Sequence, residues 1–165
     1  MEIFRGKRLW IEKSVIQLPN GVKKEKVIVH PGNAVAILPI DGERCKLLRQ
    51  YRYAVGQYIY EAPAGTMEPG EDAAATAHRE LIEETGFAAK TIVQKGFIYT
   101  TPGFTDEKIF LFEAHGLAPS DEFRKDDDEV IEVVDVAIRD LDAMICEGTI
   151  CDAKTICLIH RCLGR

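Results

Sequence analysis

The 165-residue chain has no CxxC pair, no long apolar run, no internal repeat and no excess of positive charge. Each absence closes a class of function. The cysteines are Cys45, Cys146, Cys151, Cys157 and Cys162, an odd count with four of them in the last twenty residues. Such a set predicts reduced thiols in a cytosol rather than a disulfide framework. The opening MEIFRGKRLW lacks the apolar stretch of a secretory signal, and no run reaches the length of a membrane span. The expectation is a cytoplasmic chain with no membrane partner. A formal net charge of −6 gives no electrostatic basis for holding nucleic acid. What is present is ordinary globular composition, 46% apolar and 29% charged, in a length that suits one domain over residues 1–165.

Residues 1–30 read as strands, with Pro19-Asn20-Gly21 as a hairpin turn between alternating segments. The apolar run Asn33–Ile40 suits a buried strand, and Cys45–Val55 and Tyr58–Ala62 read as two more. Further strands are expected over Thr91–Tyr99, Lys108–Ala114 and Val130–Ile138, with a polar loop over Asp121–Glu129. Two helical segments close the chain, about Arg139–Glu147 and Asp152–Leu163, with Asp152 a candidate N-cap. Strands on both sides of a central helix, with a terminal helix for the other sheet face, predict a layered α/β/α sandwich.

The central helix lies in GTMEPGEDAAATAHRELIEETGF, residues 65–87. Residues three and four apart share a helix face, so Glu80, Glu83 and Glu84 crowd one side of it. Close carboxylates repel each other unless a positive charge sits among them. A hard divalent cation is the economical occupant, because Mg²⁺ takes oxygen ligands and keeps substrate phosphates in its shell. Arg79 stands four residues before Glu83, within reach of an ion pair. The loop from Gly65 to Gly70 allows positive φ and close approach to a ligand, and Gly86 suits the left-handed end of a helix.

The full spacing is Gly65, five residues, Glu71, seven residues, Arg79-Glu80-Leu81, one residue, Glu83-Glu84, one residue, Gly86-Phe87. Every fixed position of the Nudix box is matched, so the chain is identified as resembling the Nudix hydrolases. Its flanks, HPGNAVAILPID, LLRQYRYAVGQYIYEAPAG, YTTPGFTDEKIFLFEA and GTICDAKTICLI, resemble the bacterial ADP-ribose pyrophosphatases. Pro102 falls near that subfamily's marker proline.

The resemblance implies a Nudix-type α/β/α sandwich with a mixed sheet and an N-terminal β-hairpin extension over residues 1–30. It implies Mg²⁺-dependent hydrolysis, Mn²⁺ being possible, of ADP-ribose to AMP and ribose 5-phosphate. The alternatives are another nucleoside diphosphate sugar such as GDP-mannose, or a non-catalytic nucleotide-binding module. Metal ligands carried over are Glu80, Glu84 and the carbonyl of Ala64, with Glu83 and Arg79 joining or orienting the cluster. Glu71 is either a ligand or a favourable charge at the helix start. Glu129 is the chosen general base, with Asp127 and Asp128 behind it. Arg52, and less so Arg49, would grip a substrate phosphate. Pro102, Phe104 and Glu107 would lie against substrate, and Trp10, Tyr99 and Phe104 are candidates for stacking on adenine or for the core. The subfamily also implies a homodimer that exchanges the N-terminal hairpin across a two-fold axis.

Overall fold

The computed structural model describes residues 1–122 and 131–164. The expected N-terminal hairpin is a three-stranded antiparallel sheet, β1 (Glu2–Arg5), β2 (Trp10–Gln17) and β3 (Lys23–His30). Its Asn20-Gly21 turn is as expected, with Gly21 at φ 82°. The first long strand breaks because Gly6 N–H bonds back to the Leu9 carbonyl at 2.8 Å, folding β1 onto β2.

A seven-stranded mixed sheet forms the body. It contains β4 (Ala34–Asp41), β5 (Arg44–Arg52), β6 (Gln57–Glu61), β7 (Ala64–Thr66), β8 (Phe87–Tyr99), β9 (Lys108–Pro119) and β10 (Ile131–Ala137). The order is β10-β5-β4-β9-β8, with β6 paired to β5 and β7 to β4. Strands β4 and β9 run parallel, from Ala34↔Ile109 to Ile40↔His115. Strand β4 has the continuous apolar run of a strand covered on both faces. It pairs with β5 only at Ile40↔Cys45 and Asp41↔Arg44, at the hairpin end. Further along, β7 takes the place beside β4, so that Ala64 lies opposite Ala36.

The helices are α1 (Ala73–Thr85), α2 (Leu141–Cys146) and α3 (Ala153–Leu163). Successive strand residues point to opposite faces, and β4 divides accordingly. Val35 and Ile37 pack with Ala77 and Leu81 of α1, while Ala36 and Leu38 pack with Leu158 and Ile159 of α3. The three-layer α/β/α arrangement expected from the sequence is therefore present. Asp72 caps α1 by accepting from Ala74 N–H and Ala75 N–H, and Gly86 ends it at φ 76°. Asp152 caps α3 through Thr155 N–H at 3.0 Å. All five cysteines are free, and burial pushes the Cys45 thiol up to about 11, which leaves it a packing residue at neutral pH. Among the described residues no helix is long and apolar enough to cross a membrane.

Leu158 is fully buried between α3 and the sheet. Leu158→Ala is expected to lower unfolding free energy by about 2–5 kcal/mol in a urea titration. A loss under about 1 kcal/mol would mean that α3 does not complete this core.

Candidate active site

The site begins where β6 runs out. Glu61, Ala62 and Pro63 are buried, and β7 then carries Ala64 and Gly65 under α1. Ala64 N–H donates to the Glu84 carboxylate at 2.7 Å, so the strand before the helix is bonded directly to its last turn. A Cβ on Gly65 would lie 1.9–2.3 Å from the Glu80 carboxylate atoms. Glycine is needed there for close approach, whereas the positive φ expected of this segment belongs to Gly70, at 84°.

Arg79 supplies the positive charge among the carboxylates. Its Nη1 donates to Glu80 at 2.7 Å and to Glu83 at 2.8 Å, and its Nε and Nη2 reach Glu71 at 3.1 and 3.2 Å. The Arg79 hydrogen bond, aided by Glu68 N–H, holds the Glu71 carboxyl down to about 2. Donating to Glu71 in turn raises the Arg79 pKa, against the cost of partial burial. Asp72, not Glu71, caps the helix, so Glu71 serves α1 by binding Arg79 across the loop.

Glu80, Glu83 and Glu84 lie with Arg79 along a cleft of about 1230 Å³. Among the described residues no group of three or more His, Cys, Asp or Glu side chains converges at metal-ligand geometry. The donor chemistry nevertheless fits a hard divalent cation, because the Glu80 and Glu84 carboxylates and the Ala64 carbonyl all offer oxygen. A cation taken up at Glu80 would compete with Arg79 for that carboxylate.

Arg52 lines the same cleft and is held by Glu61, with Nε at 2.6 Å and Nη2 at 3.1 Å. Glu107 also lines it, accepting from the Thr100 hydroxyl at 2.6 Å. Arg49 lies away from the lining, paired with Glu132 at 3.4 Å and resting over the Tyr58 ring. Pro102 and Phe104 are exposed on the loop after β8, outside the lining, and the Phe104 carbonyl accepts from Val29 N–H at 2.8 Å. Trp10 enters the cleft stacked on His30, with ring centroids 3.8 Å apart. Glu129, Asp127 and Asp128 fall outside the described residues. Sequence reasoning missed Glu61, Lys154 and the His30–Asp106 pair at 2.7 Å, all on or beside the cleft wall. The one available signal was the placement of Glu61 and Lys154 inside flanking phrases that resemble the subfamily.

Residues 30–156 match the NUDIX domain family. The chain is 39% identical over 157 residues to the ADP-ribose pyrophosphatase of Bacillus subtilis (strain 168), covering 93% of this chain and 84% of that protein. It is 35% identical over 162 residues to the methanol dehydrogenase activator of Bacillus methanolicus, covering 96% and 87%. It is 30% identical over 150 residues to the GDP-mannose pyrophosphatase of Yersinia pestis (strain Pestoides F), covering 84% and 75%. A crystal structure of an ADP compounds hydrolase superposes with a TM-score of 0.87 at 23% identity, covering 99% of this chain and 89% of that one, a likeness of fold. With the box intact on a cleft of this shape, the chain belongs to the Nudix hydrolase family, whose members generally use divalent metal ions.

Gly65→Ala tests the close approach. Only the end of a flexible side chain must yield, so the variant is expected to fold with its melting temperature little changed. Displacing the Glu80 carboxylate by about 1 Å should nonetheless cut kcat on the order of a hundredfold. Turnover near that of the unaltered enzyme would show that the seat of Glu80 against Gly65 is dispensable.

Proposed function

We propose that the chain hydrolyses the pyrophosphate linkage of ADP-ribose to AMP and ribose 5-phosphate, with Mg²⁺ or Mn²⁺, as a cytoplasmic single-domain homodimer. The observation that carries this reading is the meeting of Glu80 and Glu84 with Ala64 and Gly65 along the cleft. A diphosphate brought to these carboxylates uncompensated would be repelled. Glu80, Glu84 and the Ala64 carbonyl would hold the metal, which when bound neutralises phosphate oxygens and lowers the pKa of a water. Arg79 keeps Glu83 and Glu71 in place around that centre. Arg52 presents a planar fork to one phosphate, and Glu107, on the same cleft, faces the substrate. Glu129 is the proposed acceptor of the proton from the attacking water. The choice of ADP-ribose rests on the Bacillus subtilis relative, and the Yersinia pestis relative supports GDP-mannose as the second candidate.

A panel of sugar nucleotides with excess Mg²⁺, read by chromatography of the nucleoside monophosphate, is expected to give the highest kcat/KM with ADP-ribose. Chelation should abolish turnover and Mg²⁺ restore it. Glu84→Gln should lose roughly a hundredfold or more in kcat. Higher efficiency on GDP-mannose overturns the substrate, and activity that survives chelation overturns the metal chemistry.

The dimer is proposed from the N-terminal sheet. Ile3, Phe4, Val15 and Val27 are about half exposed or more on it. Its recorded links to the body lie near its base, at Val29–Phe104, Val29–Thr105 and His30–Asp106. A second copy covering these side chains would bury more than about 1,000 Å². Light scattering is expected to give a dimer for the full chain and to lose it when residues 1–30 are removed. A full-length monomer at micromolar concentration excludes the arrangement.

A further inference from the structure

Around Arg52 the cleft holds ionic partners, Glu61 and Lys154, that the reading above leaves unused. The Glu61 side chain is 3% exposed, and a carboxylate so buried must be paired. Two cations pair with it from distant parts of the chain. Arg52 of β5 donates from Nε and Nη2 at 2.6 and 3.1 Å, and Lys154 from the first turn of α3 donates to Oε1. Lys154 also meets Asp152 at 3.0 Å. Asp152 accepts from Thr155 N–H at 3.0 Å and from its hydroxyl at 2.6 Å, and that hydroxyl oxygen accepts from Ala62 N–H at 2.8 Å. The end of β6 is thus bonded to the start of α3 by both its side chain and its backbone.

A lysine in the first turn opposes the helix dipole, so α3 itself gains nothing from Lys154. Its gain lies with Glu61 and Asp152. Arg52 and Glu61 alone make a neutral pair that pulls weakly on an anion. Asp152 adds a second carboxylate beside them, so without Lys154 the group would carry a net negative charge, and Lys154 brings the four to neutrality. Glu61 grips Arg52 along one edge of the guanidinium, and among the described residues Nη1 has no hydrogen-bond partner. Arg52 and Lys154 both line the cleft that holds Glu80 and Glu84.

We propose that Glu61 and Lys154 are positioning residues for substrate binding. Glu61 holds the Arg52 guanidinium edge-on to the cleft, and Lys154 balances Glu61 so that Arg52 keeps its charge for the diphosphate. The inference rests on the reading of Arg52 as a phosphate grip. It concerns the diphosphate, which ADP-ribose and GDP-mannose share, and so does not depend on which sugar nucleotide is preferred.

The test measures kcat, KM and melting temperature of the full chain for Arg52→Ala, Lys154→Met, their combination and Lys154→Arg. Each is assayed on ADP-ribose and on GDP-mannose in excess Mg²⁺. Arg52→Ala is expected to raise KM roughly tenfold or more, the effect of losing a charged hydrogen bond. Lys154→Met should raise KM roughly three- to tenfold while kcat changes less, and the combination should be no worse than Arg52→Ala alone, because the two act as one unit. Lys154→Arg should restore most of the loss. Effects of the two single substitutions that multiply, or a lower melting temperature and kcat at constant KM, would make Lys154 merely structural and overturn the proposal. An Arg52→Ala enzyme with unchanged KM would remove the phosphate grip and this proposal with it, leaving the substrate assignment to the sugar-nucleotide panel. Should Lys154→Met not fold, Lys154→Gln gives the same comparison, with the same outcomes deciding it.

Discussion

Carboxylates crowded on one helix face repel unless a cation lies among them, and in this protein Arg79 meets that constraint for Glu80 and Glu83. One nitrogen serves both Glu80 and Glu83, and the other edge of the guanidinium clasps Glu71 across the loop. The arrangement ties the loop ahead of α1 to the middle of the helix and fixes which way the carboxylates point. Glu84 accepts from Ala64 N–H, on the strand beneath the helix.

The sheet makes room for this chemistry by dividing. Strands β4 and β5 pair for only two residues at their hairpin end, and β7 occupies the place beside β4 further along. The short β7 brings Ala64 and Gly65 beneath α1, while Glu61 stays anchored to α3. One seven-residue stretch from Glu61 to Met67 therefore touches both helical layers, and the cleft lies along it. Bulk charge plays no part in attraction, since the chain carries −6. Arg52 and Lys154 bring positive charge to the cleft itself, each paired with Glu61.

Much was legible in the sequence because it is local. The spacing from Gly65 to Phe87 identifies the box, the left-handed Gly86 ends α1, Asn20-Gly21 turns the chain, and the apolar run of β4 marks a strand covered on both faces. Each depends on residues within a few positions of one another, where helix and strand periods act. Tertiary structure decided the rest. Gly65 is required by the carboxylate pressed against it and not by its own backbone angle. Arg79 divides itself among three carboxylates, of which spacing on one helix reveals only the pair with Glu83. Glu61 and Lys154 meet across 93 residues. No period or propensity encodes that pairing, because it exists only once α3 has docked on the sheet that holds β6.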